Sequence, residues 1–364
     1  MNELQEELIK CIQTAINSQE ITPLDYFSWG RDKRHVIDDS EKMPAPEPSR
    51  SKLRKWLRPL YHLLKRNKKV RLEDYREFNA SYLLMADTYS KKLFVELLAM
   101  QLIGEEKLQL SSFTPDLISS YEKASEEILA AQEFLNVYKW ILKKVVITNP
   151  TVSFFTSPEA LNIAYLDRLY CYKRNDVHVG ISAGDTVIDA GIGWGDSTVY
   201  LASKAMSPTG SRYYAFDILQ EGIQALEKQL ELNPHITNVT SFLVALSDKS
   251  GKLFISEESS PGSRIENSAT GRSIQSVTID AFINEQDCQK IDFIKMDIEG
   301  SEIPALIGAT ESIKKYKPKL AISVYHKWDD LKTIPTLIYN IRNDYKFYLD
   351  CTTGFGGEAI LYCH

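Results

Sequence analysis

Residues 186–198 read Thr-Val-Ile-Asp-Ala-Gly-Ile-Gly-Trp-Gly-Asp-Ser-Thr, and this segment is the strongest indication of the fold. Its first part, Thr186–Ala190, is a short run rich in apolar and β-branched residues, as expected of a buried strand. Gly191, Gly193 and Gly195 follow at alternate positions, and polar residues then open a helix. Glycines permit a tight turn and let the backbone approach a ligand closely. The free amides at the helix start would face that ligand, so this turn is predicted to be a binding site.

Strand and helix patterns alternate after this turn, which predicts a mostly parallel sheet wrapped by helices. The chain ends differently, because Phe347–Asp350 and Ala359–Cys363 flank a glycine-containing turn that is typical of an antiparallel hairpin. The predicted fold class is therefore α/β, with a Rossmann-like sheet that closes in an antiparallel hairpin. The predicted strands are 186–190, 212–217, 240–246, 291–297 and 319–325, and the predicted helices are 196–206, 219–232, 301–316 and 329–343.

The first part of the chain has a different character, because apolar residues recur there at helical spacing in three long segments. Alternating prolines make 36–50 a predicted linker. We therefore expect two domains: a mainly helical N-terminal region over 1–150 and an α/β domain over 151–364. The three predicted helical segments are 1–17, 80–104 and 121–147.

Composition and charge exclude several classes of protein. The chain has 364 residues and a formal net charge of −6, which argues against general binding of nucleic acid. Its five cysteines form no Cys-x-x-Cys pair, so neither a disulfide framework nor a zinc site is expected. The acidic start of the chain lacks the basic and apolar regions of a signal peptide. These features predict a cytoplasmic protein.

A basic segment stands out against this acidic background. Residues 50–71 hold ten Lys or Arg and no acid, with Trp56 and several leucines at helical spacing. A basic amphipathic helix with a tryptophan can lie on an anionic membrane surface, which here would be the inner face of the membrane. The alternative is a solvated helix that packs on the acidic remainder of the protein.

Two classes of cofactor compete for the glycine turn. A dinucleotide fingerprint requires a small residue at position 196, where this chain has Asp196, whose carboxylate would repel a pyrophosphate. S-adenosylmethionine (SAM) has no phosphate and carries a sulfonium and an ammonium group, so acids near the turn are acceptable. Asp189 fits the acidic-x-Gly-x-Gly-x-Gly pattern of SAM-dependent methyltransferases. With the three glycines, Asp196 and Ser197, it is predicted to bind the cofactor.

Acids also end the next two predicted strands. Asp217 can accept both hydroxyls of a ribose, a contact that fits NAD as well as SAM. Ser247 and Asp248 follow Leu246, where an adenine ring would lie. A single Asp at such a position often caps a helix. Together with the glycine turn, however, these acids favour SAM over the alternative of an NAD-dependent oxidoreductase.

A second polar cluster is predicted where the fourth and fifth strands end. Lys295, Asp297 and Glu299 lie at the end of the fourth predicted strand, and Tyr325 and His326 lie at the end of the fifth. Ligands of open parallel sheets lie outside these strand ends, so this cluster is the predicted catalytic site, with Tyr325 expected to contact the acceptor. The histidine is the preferred general base because it titrates near neutrality. Asp297 is the second choice, or it binds the cofactor or orients the histidine, and an ordinary strand-end histidine is the alternative.

A divalent metal is a further option at this cluster. Asp297, Glu299 and Asp329 offer the oxygen ligands that hard cations prefer, but nothing in their spacing requires a metal.

These motifs together resemble the FkbM family of SAM-dependent methyltransferases. The resemblance covers about 185–364 and implies a class I methyltransferase sheet that transfers methyl groups to hydroxyls of sugars or natural products. Asp217 departs from the family, where many members carry Glu. With its helical N-terminal region, this chain is similar to long family members from surface-polysaccharide gene clusters. This similarity favours a sugar or glycan acceptor. The matching segments are Val187–Thr198, Lys295–Glu302, Lys317-Pro318, Ser323–His326, Asp329-Asp330 and Glu358–Tyr362.

One polar segment is a candidate lid over the acceptor. Ser259–Ser273 is rich in Ser, Gly and Asn and contains Arg264 and Arg272, which would hold an anionic acceptor. A flexible surface loop is the alternative. Tyr170 and Tyr172, just ahead of the first core strand, are predicted to wall the cofactor pocket.

Three hypotheses for the function follow. The leading one is a SAM-dependent O-methyltransferase acting on a sugar or glycan hydroxyl. The second is an O- or N-methyltransferase acting on natural products or other small molecules. The third is a non-catalytic SAM-binding scaffold that docks to a glycan-assembly complex through residues 1–150. The sequence predicts no particular oligomeric state.

Overall fold

The structure is a computed structural model that describes most of the α/β region and part of the N-terminal region. The predicted linker at 36–50, the basic segment at 50–71 and Arg264 lie outside the described residues. None of the described helices is long and apolar enough to cross a membrane. The described residues are 2–17, 72–137, 140–148, 150–157, 168, 170–255, 265–266, 272–354 and 356–364.

The elements are numbered in chain order. The helices are α1 (Glu3–Asn17), α2 (Asn79–Leu84), α3 (Thr88–Ile103), α4 (Pro115–Ala130), α5 (Asp196–Ala205), α6 (Gln220–Glu231), α7 (Ile279–Glu285), α8 (Glu302–Ile307), α9 (Thr310–Tyr316) and α10 (Asp330–Ile341). The strands are β1 (Phe134–Val137), β2 (Trp140–Thr148), β3 (Thr151–Thr156), β4 (Tyr172–Arg174), β5 (Val177–Val179), β6 (Thr186–Ala190), β7 (Arg212–Asp217), β8 (Val239–Leu243), β9 (Ala245–Leu246), β10 (Gly251–Ile255), β11 (Ile265–Glu266), β12 (Arg272–Val277), β13 (Phe293–Met296), β14 (Lys319–Ser323), β15 (Phe347–Cys351) and β16 (Ala359–Cys363).

The chain divides into two compact units. The first comprises Met1–Asn79 and Val95–Gln109, and the second comprises Ala80–Phe94 and Leu110–His364. In the first unit, α1 confirms the helix predicted at the start of the chain. Leu4 and Leu8 on this helix are fully buried, as expected of the apolar face of an amphipathic helix.

A seven-stranded sheet forms the centre of the second unit. Its strand order is β15-β16-β14-β13-β6-β7-β8. The five strands from β14 to β8 in this order run parallel, and β16 pairs antiparallel with both β14 and β15. The predicted α/β class, the mostly parallel sheet and the closing antiparallel hairpin are therefore confirmed. All five residues of β6 are buried, which is typical of a parallel strand covered on both faces.

Two predicted elements are each divided in the structure. The predicted strand 240–246 becomes β8 in the main sheet and β9, which pairs with β12 in a second, four-stranded sheet. The predicted helix 301–316 becomes α8 and α9, separated near Gly308. A Cβ atom at Gly308 would lie 2.0 Å from the carbonyl oxygen of Ser247, so the backbones touch there. Sequence periodicity cannot detect such a contact.

Two predicted helices in the first half of the chain are wrong in part. The predicted helix 121–147 is helical only to Ala130, whereas Phe134–Val137 forms β1 and residues 140–147 belong to β2. The predicted helix 80–104 is interrupted between α2 and α3, where Met85 makes a β-bridge to Phe347. Pairing with other strands therefore overrode local periodicity at both places. The predicted domain boundary at residue 150 remains a prediction.

Strands β1, β2 and β3 form a small antiparallel sheet beside the glycine turn. The free edge of β3 is held by two amide side chains of the α6 region. Asn233 accepts a hydrogen bond from the backbone N–H of Ser153 at 2.8 Å, and Gln229 accepts one from Phe155 at 2.8 Å. Gln229 also donates to the carbonyl of Trp194 in the turn, at 3.2 Å. The small sheet thereby supports the turn from one side.

Candidate active site

The glycine turn joins β6 to α5 and combines close packing with open space. Gly191, Gly193 and Gly195 all have positive φ values, of 83°, 56° and 78°. A Cβ atom at Gly191 would lie 1.8 Å from the carbonyl oxygen of Asp297, and one at Gly195 would lie 2.9 Å from the Cα of Leu226. No atom lies within 4 Å of a Cβ built at Gly193. The outer glycines therefore permit packing, whereas Gly193 leaves space for a ligand.

A buried ion pair lies beneath the turn. The Nζ of Lys295 lies 2.9 Å from a carboxylate oxygen of Asp189, and both side chains are inaccessible to solvent. Lys295 also donates a hydrogen bond to the carbonyl of Gly191. Burial alone would lower the pKa of Lys295, but the carboxylates of Asp189 and Asp297 outweigh burial and raise it. Lys295 is therefore a charged group that holds the turn in place, and its predicted catalytic role remains a prediction.

The carboxylate of Asp189 is buried, and its partners all lie inside the protein. Its carboxylate accepts hydrogen bonds from the hydroxyls of Thr198, at 2.8 Å, and Tyr213, at 2.9 Å. Asp196 is also buried, and it accepts a hydrogen bond from Thr156 of β3 at 2.6 Å. Burial raises the pKa of Asp196. Both acids support the walls of the turn, so a direct cofactor contact by either one remains a prediction.

A cleft opens at the carboxyl ends of the parallel strands, beside this turn. Ligands bind in this position in open α/β sheets. Asp217, Asp297 and Glu299 line the cleft, and no Lys or Arg is among the described residues that line it. The other lining residues are Ala190, Gly191, Gly193, Trp194, Phe216, Ile218, Leu219, Val244, Ala245, Leu246, Ile265, Ile298 and Ser301.

Asp217 ends β7 at the wall of the cleft, as the sequence predicts. Its carboxylate accepts backbone hydrogen bonds from Leu219, at 2.8 Å, and Ile192, at 3.1 Å. Burial raises the pKa of Asp217 to about 6 in spite of these bonds. A carboxylate has about four acceptor positions, so acceptor capacity remains for a ligand. Ser247 and Asp248 are absent from the described lining, whereas Leu246 lies within it.

Asp297 connects the cleft with the polar cluster at the ends of β13 and β14. One of its carboxylate oxygens accepts a hydrogen bond from the hydroxyl of Tyr170 at 2.8 Å, and the other accepts one from Tyr325 at 3.1 Å. The Nε2 of His326 lies 3.4 Å from the second oxygen. The structure thus brings Asp297, Tyr325 and His326 together, as predicted. Tyr172 instead donates to Asp87, away from this cluster.

His326 is held among three acids. Its Nδ1 lies 2.9 Å from Glu302, which also accepts a hydrogen bond from the backbone N–H of Ile298. Its Nε2 faces Asp297, and Glu299 lies 3.8 Å away. Burial alone would lower the pKa of His326, but the hydrogen bond and charge of Glu302 and the two other acids raise it to about 9. The imidazole is therefore protonated at neutral pH.

Backbone strain is concentrated around Asp297. Tyr170, Glu299 and Glu358 have φ values of 57°, 54° and 58°, a conformation that non-glycine residues rarely adopt. Each such residue costs about 1–3 kcal/mol, and strain of this kind clusters at functional sites. Glu358 is not among the site residues predicted from the sequence. Its only signal was its place at the start of the C-terminal motif Glu358–Tyr362.

Arg272 and Asp329, which were also predicted as site residues, are not among the described residues that line the cleft. The guanidinium of Arg272 is 3.8 Å from the carboxylate of Glu221 at the start of α6. Asp329 immediately precedes α10. Over the described part of the chain, no group of three or more His, Cys, Asp or Glu side chains is arranged to hold a metal ion.

The sheet order and the position of the cleft define a Rossmann-like methyltransferase fold. The FkbM methyltransferase of Methylobacillus flagellatus KT has a similar structure, with a TM-score of 0.51 and 20% sequence identity over 80% of this chain. This chain spans 59% of the length of that protein. Two further structures are weaker likenesses. One is an rRNA methylase from Streptococcus thermophilus, with 17% identity, coverage of 50% of this chain and 87% of that chain, and a TM-score of 0.30. The other is a SAM-dependent methyltransferase from Aquifex aeolicus, with 15% identity, coverage of 51% of this chain and 83% of that chain, and a TM-score of 0.29. No curated protein matches the chain.

Residues 180–347 match the Methyltransferase FkbM domain. The α/β region therefore contains a methyltransferase domain of the FkbM family over residues 180–347, as the motifs in the second half of the chain predict.

Proposed function

We propose that this methyltransferase uses SAM and transfers the methyl group to a hydroxyl of a sugar or glycan. The charge of the cleft carries the proposal for the cofactor. Asp217, Asp297 and Glu299 face the cleft, and no Lys or Arg is among the described residues that line it. Such a site attracts the sulfonium and ammonium groups of SAM and repels the phosphates of a dinucleotide.

The lining residues also fit the other parts of SAM. Asp217 retains acceptor positions for the two ribose hydroxyls. Leu246 and Ile265 supply an apolar surface for the adenine ring. The open space beside Gly193 leaves room for the backbone of the turn to approach the ligand. Trp194 completes the wall, supported from behind by Trp140 at a ring distance of 6.3 Å.

The polar cluster beyond Asp297 is the proposed acceptor site. When bound, SAM supplies an electrophilic methyl group. The protein must therefore hold the acceptor hydroxyl in line with that group, and such alignment can lower a barrier by about 7–11 kcal/mol. Asp297 and Glu299 line the cleft, and the hydroxyls of Tyr170 and Tyr325 donate to Asp297 from beside it, so this cluster of polar groups suits a ligand with several hydroxyls. The family resemblance supports the same acceptor class.

Titration calorimetry with SAM and with NAD tests the cofactor. SAM is expected to bind and NAD is not, and the opposite result would overturn the proposal. Replacing Asp217 with Ala should weaken SAM binding by roughly 10–100-fold, because hydrogen bonds to a charged group contribute about 1.5–3 kcal/mol. Glu227→Ala, at an exposed acid on the outer face of α6, is the matched control and should leave the affinity unchanged.

Release of S-adenosylhomocysteine tests the acceptor. We would compare methyl glycosides with phenolic and alcoholic natural products at equal concentrations. Faster release with the glycosides supports a sugar acceptor. Turnover confined to the natural products would contradict it, and SAM binding without turnover of any hydroxyl would favour a binding scaffold.

A further inference from the structure

We propose that Glu358 takes the proton from the acceptor hydroxyl during methyl transfer. This inference rests on the proposed function and names the general base of the same site. It differs from the sequence-based expectation, which placed His326 first and Asp297 second.

The backbone places Glu358 beside the polar cluster. It immediately precedes β16, and the N–H of Val324 donates to the carbonyl of its neighbour Ala359 at 2.9 Å. This pairing brings Glu358 next to the segment that carries Tyr325. Its left-handed φ of 58° turns the residue out of the regular strand conformation. One carboxylate oxygen, Oε2, is buried and has no hydrogen-bond partner among the described residues.

Neither of the two bases predicted from the sequence is well placed to accept a proton. The imidazole of His326, which lies beside Glu302 and Asp297, is already protonated and cannot accept another proton. Both carboxylate oxygens of Asp297 accept hydrogen bonds from phenols, those of Tyr170 and Tyr325. Burial alone would raise the pKa of Asp297, but Lys295 and His326 hold it below its ordinary value. Asp297 is therefore a weak base.

Glu358 has the opposite electrostatic setting. Burial and then the negative charge of Asp297 raise the pKa of Glu358 to about 8. A general base works best when its pKa is close to the working pH, because it is then both available and basic. The charged and titratable groups that face Glu358 are Asp297, Glu299, His326, Lys295, Tyr170, Tyr325 and Cys351.

The proposed step balances without another reactant. The acceptor O–H bond breaks and its proton moves to the ionised Glu358 carboxylate. The hydroxyl oxygen forms a bond to the methyl carbon, and the carbon–sulfur bond breaks with its electron pair left on sulfur. The sulfonium becomes a neutral thioether, and Glu358 later releases the proton to water.

Infrared difference titration of the full-length protein tests the proton on Glu358 without any ligand. The wild type should show a protonated-carboxyl band that disappears with an apparent pKa of about 8. The band should be absent from Glu358→Gln, which keeps the shape of the side chain but cannot ionise. It should persist in Glu311→Gln, which removes an exposed carboxylate on α9. A carboxyl band that still titrates with an apparent pKa of about 8 in Glu358→Gln would overturn the inference.

Turnover and SAM affinity separate this inference from the proposed function. With methyl glycosides as the probe acceptors, Glu358→Gln should lower turnover about 10²–10⁴-fold and leave SAM affinity within about twofold. The rise of the wild-type rate near pH 8 should disappear in the variant. Wild-type turnover in Glu358→Gln would exclude Glu358 as the base, whereas failure of the wild type to bind SAM would overturn the proposed function.

Discussion

Replacing Lys295 with Met should destabilise the protein strongly, because it leaves the buried Asp189 carboxylate without its cation. The two groups lie 2.9 Å apart and are 1% and 0% exposed, so water cannot replace the lost ammonium. Removing one partner of a buried ion pair costs about 3–5 kcal/mol. The hydrogen bonds from Thr198 and Tyr213 to Asp189 remain, which favours the lower end of that range, about 3 kcal/mol.

Thermal and urea denaturation, followed by tryptophan fluorescence, would measure this loss. At about 2–4 °C per kcal/mol for a domain of this size, the midpoint should fall by about 6–12 °C. Lys228→Met is the matched control, because its pair with Glu231 is at 2.7 Å but is exposed, and should cost under about 1 kcal/mol. Adding Asp189→Asn to Lys295→Met should recover part of the loss. A loss under about 1 kcal/mol in the single variant would show that the buried ion pair does not stabilise the protein.

Two further predictions concern the turn and the histidine. Gly193→Ala and Gly210→Ala both introduce a Cβ at positive φ with no atom within 4 Å, so both should lose roughly 1–2 kcal/mol of stability. Of these two glycines, only Gly193 lines the cleft. Calorimetry should therefore show at least about tenfold weaker SAM binding for Gly193→Ala but not for Gly210→Ala. Equal affinities of the two variants would contradict the placement of the cofactor. Because its folded pKa of about 9 lies above the ordinary 6.5, His326 stabilises the protein below about pH 6.5, and this contribution disappears as the pH rises through about 9. The stability lost in His326→Gln should thus shrink by up to about 3 kcal/mol between about pH 6 and about pH 10 in urea denaturation, and a pH-independent loss would contradict the buried imidazolium.

The core strands and helices of the α/β domain follow from local sequence patterns. Predicted and observed bounds of β6 and β7 coincide at 186–190 and 212–217. Buried parallel strands read as short apolar runs, and glycines and polar residues mark their ends, so the pattern is strong without tertiary information. The predicted helix over 121–147 failed beyond Ala130 for the converse reason. Residues 134–147 are apolar at spacings that suit both a helix and a strand, and the pairing of β1 with β2 and of β2 with β3 selects the strand.

The acids of the candidate site that follow parallel strands were predictable from the sequence. Asp217, Asp297 and Glu299 were predicted from their positions after parallel strands, and all three line the cleft. The predicted roles of Asp189 and Lys295 depend on where their side chains point, which the sequence does not specify. The structure pairs them beneath the turn, and their roles in ligand binding and catalysis stay predictions.

The class of fold, the position of the glycine turn and the acids at the strand ends thus follow from local sequence, because these features depend on spacing along one segment. The charge states in the polar cluster around Asp297 depend instead on tertiary contacts. Tyr170, His326 and Glu358 meet around Asp297 from distant parts of the chain, and the pKa of each depends on burial and on neighbours from other elements. Electrostatic energies vary with distance and solvent access in three dimensions, which no pattern along one segment records.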